Sequence, residues 1–230
     1  MIKTANLGAG VNSVAGILKY GVNNYKEIIF ADTGSEKPET YEYLTFLIKE
    51  KGWPVIIVKS ESNETKGKAL YDYYLDKKIY PTPAFRDCTG KFKIMPIKKY
   101  LRQKYPNDTF LTDVFIDYSE YHRMKTSDVK YQKLNYPLVD DKITRDDCIK
   151  IIEDAGYPVP MKSGCFMCPF NNRKLWAWLK LEHPDLFEQA LKLEKAGMYN
   201  AKGFKKRYIK PLITLKAKEQ TSDLFSCACF

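Results

Sequence analysis

Histidine is almost missing from this chain, with two in 230 residues. Neither stands in a pattern that points to chemistry: His122 neighbours Arg123, and His183 precedes Pro184 at an expected helix break. The sequence also has no long uncharged apolar stretch, which excludes a transmembrane helix. Residues 1–18 lack the charged start, apolar core and small-residue cleavage site of a signal peptide, so a cytoplasmic location with no membrane partner is expected. Internal repeats and low-complexity segments are absent as well. No basic run is long; the densest is KGFKKRYIK at 202–210.

What is present is globular in character, with 44% hydrophobic and 29% charged residues, unlike a disordered chain. The length allows one compact domain or a core domain with a modest second lobe. Lysine and arginine exceed the acids by ten, which suits an anionic partner, a nucleotide or a nucleic acid, but equally a solvated lysine-rich surface. The 17 tyrosines can stack on bases or fill cores. Six cysteines in a cytosolic chain read as metal ligands, redox groups or buried fillers rather than disulfides.

The first half alternates strand and helix patterns. IKTANL (2–7), EIIFAD (27–32) and PVIIVKS (54–60) read as strands, with helices opening near Asn12 and in ETYEYLTFLIKEKG. LTDVFIDYS (111–119) can supply another strand, and IMPIKKYLRQKY (94–105) a helix. This rhythm predicts an α/β fold, a parallel sheet flanked by helices. Beyond residue 140 the pattern turns helical: TRDDCIKIIEDAG is capped by Thr144 with Asp147 three positions on, and a helix pair follows, split at Pro184. The expected division is therefore residues 1–140, an α/β nucleotide-binding domain, and residues 141–230, a helical C-terminal lobe.

NLGAGVNSVAGIL (6–18) joins the first strand to the first helix and has the composition of a phosphate-binding turn. It is not a Walker A loop, because Ile17 stands where that loop needs lysine. The dinucleotide fingerprint starts well at Gly8 and Gly10, yet Ser13 replaces its third glycine; Asp32 then takes the place of the ribose-binding acid. A third match covers more of the chain. Gly8–Ser13 resembles the GAGVxS variant of the pyrophosphate loop in phosphoadenosine phosphosulfate (PAPS) reductase-like proteins, a branch of the adenine nucleotide α-hydrolase-like (PP-loop) superfamily. FADTGSEKPETYEYL (30–44), FRDCTGKFKIMPIKKYL (85–101), DYSEYHRMKTS (117–127), YPLVDDKITRDDC and PMKSGCFMCPF resemble the family's later motifs, in order and across most of residues 1–170.

The resemblance implies an adenine nucleotide such as ATP, with magnesium a further candidate. Gly8, Gly10, Asn12 and Ser13 would hold phosphate, while Asp32, Thr33 and Gly34 would address the adenosine part. Asp32 and Arg123 are the candidate catalytic residues, and Arg86 and Lys93 join Arg123 in neutralising a leaving group. Asn12 departs from the aspartate of ATP-cleaving members, and a neutral amide does not hold magnesium as a carboxylate does. Cys165 and Cys168 form C-x-x-C before Pro169, a spacing that aims two thiolates at one metal. Cys88 and Cys148 fall in neighbouring family-like motifs. The ligand set the resemblance implies is Cys88, Cys148, Cys165 and Cys168 around a [4Fe–4S] cluster, with a structural zinc as the alternative. Cys227 and Cys229 close the chain without a matching motif.

Two chemistries follow from the resemblance. One is ATP-dependent, AMP-forming sulfur transfer to a nucleic acid, tRNA or DNA, with a sulfur donor protein as partner. The other is reduction of a sulfonucleotide. A non-catalytic nucleotide- or nucleic-acid-binding module with structural zinc is the reading from a different class.

Overall fold

The computed structural model describes residues 1–81 and 87–198. Five strands form one sheet in the order β3-β2-β1-β4-β5, with β1 Ile2–Leu7, β2 Glu27–Asp32, β3 Val55–Lys59, β4 Phe110–Asp113 and β5 Gln132–Asn135. β1 pairs in parallel with β2 (Leu7 opposite Phe30) and with β4 (Ala5 opposite Asp113), and β4 pairs in parallel with β5. All six residues of β2 are buried, as expected of a parallel strand covered on both faces. The predicted parallel α/β sheet is present, and its chain order reverses at β1, between β2 on one side and β4 on the other.

Contacts divide the chain into two units built from interleaved segments. The first comprises Met1–Ala31, Pro38–Val58 and Pro96–Ser163. It holds α1 (Val11–Tyr20), α2 (Pro38–Lys49), all but the first residue of α5 (Met95–Lys104), the short α6 (Pro137–Asp140) and α7 (Arg145–Asp154). Ala5, Leu7, Val14 and Ile17 of β1 and α1 share an apolar cluster with Leu44, Leu47 and, from α7, Cys148 and Ile152. Ile29, Ala31, Ile97, Leu101 and Phe110 form a second cluster. Polar side chains inside this unit are paired: the Thr4 and Thr112 hydroxyls lie 2.9 Å apart, and the Gln132 amide donates to Thr112 at 2.8 Å. The start of α7 carries the capping box read from the sequence, Thr144 accepting from the Asp147 N–H while Asp147 accepts from Thr144. α7 packs on α1, and this first unit runs on through Ser163.

The second unit comprises, among the described residues, Asp32–Lys37, those of Lys59–Met95 and 164–198. It contains α3 (Leu70–Lys77), the short α4 (Asp87–Thr89), a π-helical turn at Gly90–Ile94, and the helices α8 (Arg173–Glu182) and α9 (Pro184–Met198). Asn172 caps α8 by accepting from the Leu175 N–H at 2.8 Å. The expected break at Pro184 is where α9 begins, and Trp176 and Trp178 are buried, Trp176 meeting Phe187 edge-on. No helix among the described residues is long and apolar enough to cross a membrane.

Candidate functional site

In the first unit the glycine-rich turn follows β1, the strand at which chain order reverses. In open α/β sheets ligands bind beyond the carboxyl ends of the strands at such a switch point. Gly8 is exposed, Ala9 is buried with φ of 50°, and Gly10 caps α1. A left-handed alanine is uncommon and costs about 1 kcal/mol, so the surroundings hold this turn in shape. Two contacts do so. The Ser13 hydroxyl accepts from the Gly8 N–H at 3.1 Å and donates to the Gly10 carbonyl at 3.0 Å. Ser163 packs so closely that its Oγ would lie 2.5 Å from a Cβ at Gly10. Ser13, expected to donate to a ligand, thus braces the turn in this structure. The first backbone N–H groups of α1 lack helical acceptors, as at every helix start, and point out of its positive end.

Asn12 stands in the first turn of α1 with its side chain fixed at both ends. Its Nδ2 donates to Asp117 Oδ2 at 2.9 Å, and its Oδ1 accepts from an Arg145 terminal nitrogen at 2.9 Å. Asp117, 3% exposed, also accepts from the Ser119 backbone N–H at 3.0 Å. Arg145 is the first residue of α7. Arg123 ends the 3-10 helix Tyr118–Arg123, exposed and ion-paired with Glu120. Asp117, Arg145 and Ser163 were not singled out from the sequence, although each lies inside a quoted motif. What brings them to the turn is tertiary packing, which no local pattern encodes.

In the second unit the Asp32–Lys37 segment forms a buried polar turn. Asp32 Oδ1 accepts from the Gly34 N–H at 2.8 Å, and Oδ2 pairs with Lys59 at 3.2 Å. Gly34 has φ of 67°, and a Cβ there would come within 2.9 Å of the Ala69 methyl, so only glycine fits. Thr33 donates its hydroxyl to Glu36 at 3.0 Å and accepts from the Ser35 N–H at 3.3 Å. Glu36, 4% exposed, forms an ion pair with Lys93 at 3.1 Å and a β-bridge with Cys165. Burial works against the charge on Lys93, yet Glu36 and the thiols of Cys165 and Cys168 hold its pKa above the ordinary lysine value.

Cys88, Cys165 and Cys168 belong to the second unit, and the last two stand in a tight turn closed by the Cys168 N–H donating to the Cys165 carbonyl at 3.1 Å. Burial raises the Cys165 pKa, Glu36 raises it further, Lys93 opposes, and Cys168 and Cys88 add to the rise. Cys165 therefore feels both of the other thiols. Cys148 instead lies fully enclosed among the apolar side chains of α1 and α7. Its pKa is pushed up to about 12, by burial first and by Asp117 next. Among the described residues no group of three His, Cys, Asp or Glu is placed to hold a metal ion. Cys148 falls on the buried stripe of α7 beside Ile152. Arg86, Cys227 and Cys229 lie outside the described residues.

No family model matches the chain. Over 213 residues it is 26% identical to the uncharacterized protein MJ0973 of Methanocaldococcus jannaschii, a match that takes in 86% of this chain and 49% of that protein. The chain thus spans about half the length of this curated relative. Among solved structures it is similar to phosphoadenylyl-sulfate (PAPS) reductase from Candida auris, crystallised as a phosphate complex. The TM-score is 0.49 at 16% identity, with 73% of this chain and 83% of that chain covered. Strand order and parallel pairing define the α/β fold by themselves.

Proposed function

We propose that this chain is a PAPS reductase-like, nucleotide-dependent enzyme of sulfur chemistry, and that it thiolates a nucleic acid using ATP. The observation that carries the proposal is the glycine turn after β1, held by Ser13 and Ser163 at the point where the sheet order reverses. Gly8, Gly10, Asn12 and Ser13 are proposed to hold the phosphates, and Asp32, Thr33 and Gly34 the adenosine part. In the first step a carbonyl oxygen of the acceptor attacks the α-phosphorus; that O–P bond forms as the P–O bond to pyrophosphate breaks. In the second step sulfur from a donor adds to the activated carbon and the C–O bond breaks, releasing AMP. Lys93, Arg86 and Arg123 are proposed to offset the charge that develops on the leaving groups.

A nucleic-acid acceptor, tRNA or DNA, is supported by the net charge of +10. Tyr118 and Tyr121 support it too: both are exposed, with ring centroids 6.3 Å apart, directly after Asp117, and exposed aromatics offer stacking surfaces for bases. For the cysteines we propose Cys88, Cys165 and Cys168 as donors that draw together only when the group binds, since they are not gathered as a ready-made site, with Cys148 kept in the apolar core. A [4Fe–4S] cluster would be their group, zinc the alternative, and no step above is assigned to it. Incubating the protein with ATP labelled at the α-phosphate, sulfide and tRNA or DNA tests the reading. Labelled AMP that requires the acceptor is expected. Nucleotide binding with neither AMP nor pyrophosphate release would make the chain a binding module, and turnover of a sulfonucleotide alone would make it a reductase.

A further inference from the structure

We infer that Arg145 is the fixed cation of the phosphate turn, and that Asn12 is asparagine because a neutral residue there leaves that cation free for an anionic ligand. The inference rests on the reading of Gly8–Ser13 as a phosphate site and adds the residue that supplies its charge. Three observations in the first unit support it. Asn12 lies between a carboxylate and a guanidinium, with Nδ2 on Asp117 and Oδ1 on Arg145, each at 2.9 Å. Its amide orientation is therefore fixed by its two neighbours. The Asp117 carboxylate is satisfied by Asn12 and by Ser119. Arg145 is satisfied only in part: one terminal nitrogen donates to Asn12, while its Nε is buried and has no hydrogen-bond partner among the described residues.

A buried N–H of a guanidinium with no acceptor is rare, because the desolvated group gains nothing in return. Here it belongs to a side chain already anchored in the first turn of α1, next to amide N–H groups that lack helical acceptors. A phosphate oxygen is the kind of acceptor that suits both, since guanidinium binds phosphate through parallel hydrogen bonds. Aspartate at position 12 would change the charges decisively. It would set a second carboxylate against Asp117 and neutralise Arg145 by direct pairing. The turn would then need an added cation to hold phosphate. Asparagine keeps the same shape and passes Arg145 on to the ligand. The ligand class is a polyphosphate or phosphomonoester, held at this turn without an obligatory divalent ion.

The test is calorimetric titration of ATP into the wild-type chain, Asn12→Asp, Asn12→Ala, Arg145→Gln and Arg145→Lys, each in EDTA and in excess Mg2+. Circular dichroism and thermal melting check the fold. Wild type should bind in EDTA and change little with Mg2+. Arg145→Gln should weaken binding about ten-fold or more, the loss of one charge-assisted contact, with Arg145→Lys between the two. Asn12→Asp should lose binding in EDTA and recover it in Mg2+, whereas Asn12→Ala should gain nothing from Mg2+. A merely structural role for Asn12 would give Asp and Ala variants the same response to Mg2+, and that would overturn the inference. So would Arg145→Gln or Arg145→Lys, whichever folds, binding as tightly as wild type. If wild type binds no ATP under either condition, the phosphate-site reading falls and takes the inference with it.

Discussion

Gly16→Ala sets two known effects against each other, and the structure decides between them. Alanine is the better helix former, so the change inside α1 should stabilise by about 1 kcal/mol on propensity alone. Against this, a Cβ at position 16 would lie 2.1 Å from Phe115 Cδ1, 2.4 Å from Cε1 and 2.8 Å from Cγ. Phe115 is 8% exposed and packed edge-on against Tyr25, so its ring has no open space to enter. Overpacking of this kind costs about 1–3 kcal/mol, and tipping the ring towards water would forfeit a similar amount of burial. At an approach of 2.1 Å the upper part of that range applies, about 2–3 kcal/mol, so the net expectation is a loss of about 1–2 kcal/mol, a fall in Tm of roughly 2–8 °C for a chain of this size. The assay is urea and thermal unfolding of Gly16→Ala alone and in a Phe115→Ala background. With the ring gone, only the propensity effect survives, so the same substitution should become stabilising by about 1 kcal/mol. An effect of the same sign in both backgrounds would refute the argument. Phe115 stands two residues before Asp117, so Gly16→Ala should also weaken nucleotide binding by way of the Asn12 contact.

Two further outcomes test other parts of the account. Cys148→Ala should leave iron or zinc content unchanged and cost about 1 kcal/mol of stability as a small core truncation, while Cys165→Ala should abolish the metal content; metal loss in both would restore the four-cysteine set. Glu64 is held down to about 2 by Lys91, Tyr73 and Lys77, below its ordinary 4.5, so its pairing contributes stability above about pH 4.5 that is lost as pH falls through about 2. Glu64→Gln should therefore flatten that acid limb, and an unchanged urea midpoint profile between pH 5 and 2 would contradict the assignment.

Much of the first unit was legible because its signals are local. IKTANL and EIIFAD became β1 and β2 over the residues expected, and the Thr144–Asp147 capping box formed at the start of α7. PVIIVKS narrowed to Val55–Lys59. Of LTDVFIDYS only the first three residues joined β4, which begins one residue earlier at Phe110, because the chain then leaves the sheet to carry Phe115 and Asp117 towards α1. The strand Gln132–Asn135 and the helix Leu70–Lys77 were not anticipated. QKLN offers no run of branched or aromatic residues, and LYDYYLDK sits in a polar, proline-punctuated stretch. The glycine turn and the Asp32–Gly34 turn were visible as motifs. The braces around them, Ser163, Asp117, Arg145 and Lys59, come from distant parts of the sequence, and only packing shows which turn each one serves. Cys148 illustrates the same limit: a motif cysteine and a core cysteine look alike until the helix face that carries it is known.

The central claim is that nucleotide phosphate sits on Gly8–Ser13. It is tested most directly by titrating ATP into isotopically labelled protein and following the backbone amide resonances. The account predicts that Gly8, Gly10, Asn12 and Ser13 shift most, with Asp32, Thr33 and Gly34 responding at the same nucleotide concentration. Saturable binding that leaves the Gly8–Ser13 amides unmoved and shifts residues elsewhere, such as the lysine-lined surface at Glu64–Lys77, would contradict it.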